Sequence, residues 1–289
     1  GAGRATEARV TERYDQGKRR CEGVVVGGGP AGLSAARAAA RTGARVVLCE
    51  ETAQLGGWLL SADPATRIDG LTPADWIARA EAELRTHDDV RILTRTCAYG
   101  YYAENQVNLW EKLSDHLLPA DRDPRLPRQR NWRIRAAEVV LATGALERPL
   151  LFPGNDRPGI VTASAALTYA ERYGVLAGRR IAIATNNDTG YDAACRLKAA
   201  GADVVAVIDQ RPAAGVGAAE RASAAGIPVH STTAIVATAG HTRIARLTAR
   251  ARRADRSPTG PPSPLPSHAP AHARRIPPTA ALLPPPPHP

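Results

Sequence analysis

The 289-residue sequence has no apolar run approaching the ~20 residues that a membrane-crossing helix needs, and no apolar leader at its start. It therefore reads as soluble and cytoplasmic. Its four cysteines, Cys21, Cys49, Cys97 and Cys195, include no CxxC pair, so neither a zinc site nor a disulfide framework is indicated. A GxSxG elbow and an HExxH sequence are also absent. His87 and His116 stand in polar surroundings and read as surface residues, which leaves no candidate catalytic group.

A formal charge of +10 raises the question of nucleic acid. Beyond Ala251, five arginines (Arg252, Arg253, Arg256, Arg274, Arg275) face one acid, Asp255, so the tail alone carries +4. Elsewhere the excess is mild and spread out, with no alternation of basic and aromatic residues. An ordinary solvated surface is expected, with neither nucleic acid nor membrane as partner.

What is present begins with a 44% hydrophobic content, enough for a sizeable core in one or two domains. Gly1 to Glu22 is polar and reads as a linker, with Val10 to Arg20 compatible with a short helix. A strand follows at Gly23 to Val26, then a glycine loop, an Ala-rich helix from about Ala31 to Arg41, and a second strand at Arg45 to Cys49. Thr72-Pro-Ala-Asp75 supplies an N-cap, a proline at N1 and an acid at N3. The helix it starts places Trp76, Ile77, Ala80 and Leu84 on one face. Further strands are expected at Arg91 to Thr96, Gln106 to Trp110 and Glu138 to Leu141.

The loop Gly27-Gly28-Gly29-Pro30-Ala31-Gly32 satisfies GxGxxG between a strand and a helix. Gly27 permits the tight turn, Gly29 lets backbone approach a pyrophosphate, and Gly32 allows close helix-strand packing. The helix N-terminus adds free N–H groups and partial positive charge. Glu50, 23 residues after Gly27, can accept hydrogen bonds from ribose hydroxyls, and its charge opposes a 2′-phosphate. That favours NAD or FAD over NADP. Glu51 either shares this task or is simply solvated.

From Arg179 the chain repeats this beginning at a constant offset of 158 residues: Gly32 matches Gly190, Gly43-Ala44 matches Gly201-Ala202, Val46-Val47 matches Val204-Val205, and Glu51 matches Asp209. In the second copy Thr185, Asn186 and Asn187 replace the three glycines, and Ile208 replaces Glu50. The expected fold is α/β, a Rossmann-like FAD/NAD(P)-binding architecture of two nested βαβ domains, the second degenerate and incomplete. The expected divisions are a linker over 1–22, a dinucleotide-binding domain over 23–178, the second domain over 179–250, and a disordered tail over 251–289. Thirteen prolines in the last 39 residues motivate that last expectation.

Several stretches together resemble the α subunit of heterotetrameric sarcosine oxidases. They are Gly27 to Leu33, Gln54-Leu-Gly-Gly-Trp58, Ile68-Asp-Gly-Leu71, Ala98-Tyr-Gly-Tyr-Tyr102, Pro127-Arg-Gln-Arg-Asn-Trp132, Val140-Leu-Ala-Thr-Gly-Ala-Leu-Glu-Arg-Pro149 and Asn155-Asp-Arg-Pro-Gly159. The resemblance covers about Gly1 to Arg250. It implies a domain that looks like a flavoprotein disulfide reductase but holds NAD where those enzymes hold FAD. It also implies oxidative demethylation of sarcosine to glycine, with hydrogen peroxide formed, at FAD and FMN associated mainly with a β subunit. The one-carbon unit passes to tetrahydrofolate in a later part of the α subunit. By resemblance, cofactor contacts fall on Gly27, Gly28, Gly29, Pro30, Ala31, Gly32, Glu50, Glu51, Thr52, Trp58, the backbone near Ala98, Thr143 and Gly144. No cysteine pair follows Gly56-Gly57, which removes a disulfide-reductase reading.

The sequence departs from that family in lacking its additional N-terminal domain and its long continuation, which supplies the last strand of the first domain and part of the cofactor site. A truncated subunit without turnover of its own is therefore expected. Two alternatives stay open: an FAD-binding subunit of a related amine, hydroxyproline, opine or glycine dehydrogenase, and a cofactor-free remnant that binds partners.

Overall fold

The computed structural model describes residues 13–252, 258–266 and 269–273. The chain divides into two units. Among the described residues, one comprises 13–59 together with 65–144, and the other 60–64 together with 145–252, 258–266 and 269–273. The segment 145–178, expected with the first domain, thus belongs to the second unit.

In the first unit the apolar run before the glycine loop is only the end of β1 (Tyr14–Val26). Then come α1 (Pro30–Ala40), β2 (Val46–Cys49), α2 (Pro73–Arg85), β3 (Val90–Leu93), β4 (Thr96–Tyr102), β5 (Gln106–Lys112) and β6 (Gln129–Leu141). They form one sheet in the order β3-β2-β1-β6-β5-β4. The first four strands are parallel; β5 and β4 return antiparallel. Helix α1 starts on Pro30, whose missing N–H costs nothing at N1, and buries Leu33, Ala36 and Ala40 at helical spacing. In α2 the Thr72 Oγ1 accepts from the Asp75 backbone N–H at 3.2 Å, and Trp76, Ile77, Ala80 and Leu84 are buried. Leu33, Leu48 and Leu84 are fully buried, each contributing about 1.5–3 kcal/mol of transfer free energy. Glu83 of α2 ties down α1 through Arg37 and Arg41, at 2.5 and 2.6 Å.

Residues 14–22 correct the expectation of a linker or short helix. They form strand, paired in parallel register with β6 from Tyr14↔Gln129 to Cys21↔Ala136. The polar composition arises because most of these side chains face outward, while Cys21 is buried. The proposed short helix otherwise falls on residues 10–12, outside the described residues.

The second unit contains β7 (Val161–Thr162), α3 (Ala163–Leu167), β8 (Arg180–Thr185), α4 (Thr189–Ala199), β9 (Asp203–Asp209), α5 (Ala218–Ala224) and β10 (Val229–His230). It continues with β11 (Thr233–Ala239), β12 (Arg246–Arg252), β13 (Pro258–Pro266) and β14 (Ala269–Ala273). A parallel sheet runs β10-β9-β8-β14-β7, and a separate antiparallel sheet runs β11-β12-β13. Tyr191, Ile181, Ile183 and Leu197 centre the core between β8 and α4.

Within the tail, 258–266 and 269–273 are strands, in place of the disorder expected over 251–289. Proline φ is close to that of extended chain, and its missing donor is tolerated on an edge such as β13. Strand β14, by contrast, lies between β8 and β7, with Pro270 opposite Ala182. The rest of the tail lies outside the described residues. No helix among those residues is long and apolar enough to cross a membrane.

Candidate functional site

The C-terminal ends of β1, β2 and β6 meet at the glycine loop, the edge of a parallel sheet where such folds take ligands. The Gly27 N–H donates to the Cys49 carbonyl and the Ala142 N–H to the Val26 carbonyl, both at 2.8 Å. Thr143 and Gly144 follow Ala142 and are exposed, so the turn after β6 stands beside the loop.

The glycines have different reasons to be glycine. Gly27 has φ +106°, and a Cβ on it would lie 2.2 Å from the Ala142 oxygen. On Gly32 a Cβ would lie 1.8 Å from the Gly27 oxygen, so helix and strand touch there through bare backbone. On Gly28 it would meet Leu55 at 2.6 Å. Gly29 differs: its nearest neighbour would be the Gly57 Cα at 3.9 Å, an ordinary contact. No described residue requires glycine at position 29, so the open space there suits a group from outside, a phosphate above all.

Glu50 is buried, 7% exposed, and follows β2. One carboxylate oxygen accepts from the Gly28 N–H at 2.7 Å and the other from the Thr52 N–H at 2.8 Å. A carboxylate has about four acceptor positions, so each oxygen keeps capacity for a hydroxyl. Thr52 is thereby placed as a support of Glu50, its hydroxyl donating to the Gln54 carbonyl at 2.8 Å. Glu51 is exposed, and Trp58 is 64% exposed on the short 3₁₀ helix Gly57–Ser61. Ala98 lies on β4 opposite Leu109, half-buried against the core.

Residues given no role in the site by the sequence complete the frame. The Gly56 N–H donates to the Gly28 carbonyl at 2.8 Å, which fixes the Gly56-Gly57 turn against the loop. The N–H groups of Arg95 and Thr96 donate to the Thr52 and Glu50 carbonyls, each at 2.8 Å, and Thr96 is buried. Arg95 adopts φ +51°, a conformation rare for a side-chain-bearing residue, and only the folded backbone reveals it.

The second βαβ unit keeps the close packing, with Gly190 against Thr185. It fills its own loop. Thr185 Oγ1 donates to the Asn187 carbonyl at 2.7 Å and accepts from the Asn187 N–H at 3.1 Å, and Asn187 Oδ1 accepts from the Thr189 N–H at 2.9 Å. A register shift between Ile181 and Ala182 brings Asp209 opposite Thr185, while Ile208 joins the core. Asp209 is fully buried, and the Tyr191 hydroxyl and the Arg211 guanidinium each reach it at 2.8 Å. Burial, then Asp209, holds the Tyr191 hydroxyl protonated well above its usual range; Asp209 raises Arg211 likewise. Asp188 accepts from the Gly215 N–H and from Arg211, which lowers its pKa.

The family model for pyridine nucleotide-disulphide oxidoreductase matches residues 22–255. The chain belongs to this family. It is 48% identical to sarcosine oxidase subunit alpha of Rhizobium meliloti (strain 1021) over 218 residues, 75% of this chain and 22% of that protein. It is 44% identical to sarcosine oxidase subunit alpha of Corynebacterium sp. (strain P-1) over 225 residues, 78% of this chain and 23% of that protein. The matched region thus spans less than a quarter of either relative. Thioredoxin reductase of T. acidophilum shares the fold, with a TM-score of 0.66 at 16% identity, covering 90% of this chain and 79% of that one.

In this member of the pyridine nucleotide-disulphide oxidoreductases the dithiol of the family name has no counterpart. All four cysteines are free, and Trp58 and Leu59 follow the Gly56-Gly57 turn. Burial pushes the Cys49 thiol up to about 12 and raises Cys21 as well, so neither is a poised thiolate.

Proposed function

We propose that the first βαβ unit is an NAD site in the α subunit of a sarcosine-oxidase-like flavoenzyme, and that the second binds no dinucleotide. The observation that carries this is Glu50 held by the Gly28 and Thr52 amides beside a Gly29 with no internal reason to be glycine. The α1 N-terminus and the backbone of Gly27 to Gly32 hold the pyrophosphate, Gly29 leaving room for it. Glu50 accepts the ribose hydroxyls and opposes a 2′-phosphate by its charge. Glu51, Thr52, Trp58, Thr143, Gly144 and the backbone at Ala98 border the remaining cofactor. A nicotinamide dinucleotide can carry hydride, but with no dithiol beside Gly57 we assign it a structural place and no catalytic residue here.

Identity near half over three-quarters of the chain to two sarcosine oxidase alpha subunits supports the assignment to that enzyme type. On this reading the assembled subunits demethylate sarcosine oxidatively to glycine, form hydrogen peroxide and pass the one-carbon unit to tetrahydrofolate. FAD and FMN lie mainly with the β subunit.

The test is to purify the chain, release bound nucleotide by heat, and identify it by chromatography with absorbance and fluorescence detection. NAD is expected. FAD would move the chain to the flavin-binding dehydrogenase subunits, and cooperative unfolding with no nucleotide retained would mark a cofactor-free partner module.

A further inference from the structure

The outward face of β1, β6 and β5 gathers cations that are scattered in the sequence. Lys18 lies opposite Arg133 and Arg20 opposite Arg135. On the other flank Asn108 and Gln106 face the same two arginines. With strands ~4.8 Å apart and alternate residues ~6.7 Å apart along each strand, the four cations form a fixed two-by-two array. They border an open groove of about 400 Å³ lined by Lys18, Arg19, Arg20, Gln106, Arg133 and Arg135, with no acid among them.

Like charges directly opposite one another destabilise a sheet. Here little offsets them. Arg135 meets Glu104 at 2.8 Å in an exposed pair, but Lys18, Arg20 and Arg133 have no ion pair among the described residues. The acids of these strands are engaged or distant. Asp15 and Glu111 are bonded to Arg130 and Trp132, Glu22 to Arg45, and Glu138 lies opposite Gly23 beyond the array. The chain's residues 1–12 carry two arginines and two glutamates, no net negative charge to offer.

We infer that this face docks an acidic segment of another protein chain, its carboxylates spaced at alternate residues of an extended stretch to match the array. Aromatic side chains beside the cations fit such an interface, in which Arg, Trp and Tyr are enriched. They do not form platforms for bases. Tyr99 packs edge-on to Trp110 and hydrogen-bonds Asn131, and the Tyr102 ring folds over Gly100. The inference rests on charge and register alone, independent of the nucleotide site.

The experiment uses the whole chain, with a short poly-L-glutamate as probe and an oligo-dT strand as competitor. Arg20→Gln/Arg133→Gln is compared with Arg79→Gln/Arg243→Gln, which removes the same charge elsewhere. We expect polyglutamate affinity to fall about tenfold in the first variant, the equivalent of two exposed ion pairs, and much less in the second. The first variant should also melt higher than the unaltered chain, since two oppositions of like charge are gone. Equal losses in the two variants, an unchanged or lowered melting temperature in the first, or tighter binding of oligo-dT than of polyglutamate would overturn the inference.

Discussion

Both βαβ units carry a buried carboxylate where their second strand ends, and they treat it differently. In the first, Glu50 is held by two backbone N–H groups, one to each carboxylate oxygen, and each oxygen retains acceptor capacity. In the second, Asp209 is enclosed by Tyr191 and Arg211, and Thr185, Asn187 and Asp188 use their polar atoms on neighbouring backbone and on Arg211. One unit leaves acceptor capacity unused, and the other bonds most of its loop side chains to itself, the buried Asn186 Oδ1 excepted. The same supersecondary plan can therefore serve as a site or as a scaffold, according to whether the loop consists of glycine or of side chains that bond to it.

The contrast breaks most visibly in Asp209→Ala. Removing a fully buried acid from Tyr191 and Arg211 should destabilise the second unit by about 3 kcal/mol, read as a lowered denaturation midpoint. Glu50→Ala should cost only about 1.5 kcal/mol but abolish nucleotide retention. Equal stability losses would erase the distinction between site and scaffold.

Gly32→Ala against Gly190→Ala sharpens it further. The new methyl meets backbone oxygen in the first unit, for a loss of about 2 kcal/mol. In the second it meets the Thr185 side chain, for about 1 kcal/mol. Gly29→Ala should change stability by less than about 0.5 kcal/mol and still weaken nucleotide retention, since only the ligand needs that space. Comparing unfolding midpoints with the nucleotide content of each variant checks all of these.

The smallest effect concerns pH. The hydrogen-bonded Arg45 side chain lowers the Glu22 carboxyl from 4.5 to about 2. A carboxyl lowered by folding stabilises above its unfolded value, so this contribution is complete above about 4.5 and is lost as pH falls towards 2. Glu22→Gln should flatten the acid limb of the first unit slightly, measured as midpoint against pH. The second unit has its own acid-sensitive group in Asp188, which Glu22→Gln leaves untouched.

Much of the frame of the first candidate site was legible because its determinants are local. A glycine loop between an apolar strand and an Ala-rich helix, followed by an acid after the next strand, is written in consecutive residues. The Thr72 cap and the apolar face of α2 were legible for the same reason. The Gly56-Gly57 clamp and the support from Arg95 and Thr96 were not, because they act through backbone groups that any residue possesses. Asp209 looked like a neighbour of the equivalent position; a register shift at Ile181 set it opposite Thr185, where it is fully buried.

The sequence alone determined where the chain can turn tightly, where helices start, which βαβ copy has a loop free of side chains, and that no dithiol follows Gly57. Each depends on the sterics and chemistry of residues close in the chain. Tertiary structure decided the rest. A polar stretch before Cys21 became strand because Gln129 to Ala136 offered it a ladder, and two segments of the proline-rich tail became strands beside β12 and between β8 and β7. Basic residues more than a hundred positions apart became one charged face through the β1–β6 register. Strand pairing joins remote segments through backbone hydrogen bonds, and composition alone does not encode which partner a strand will find.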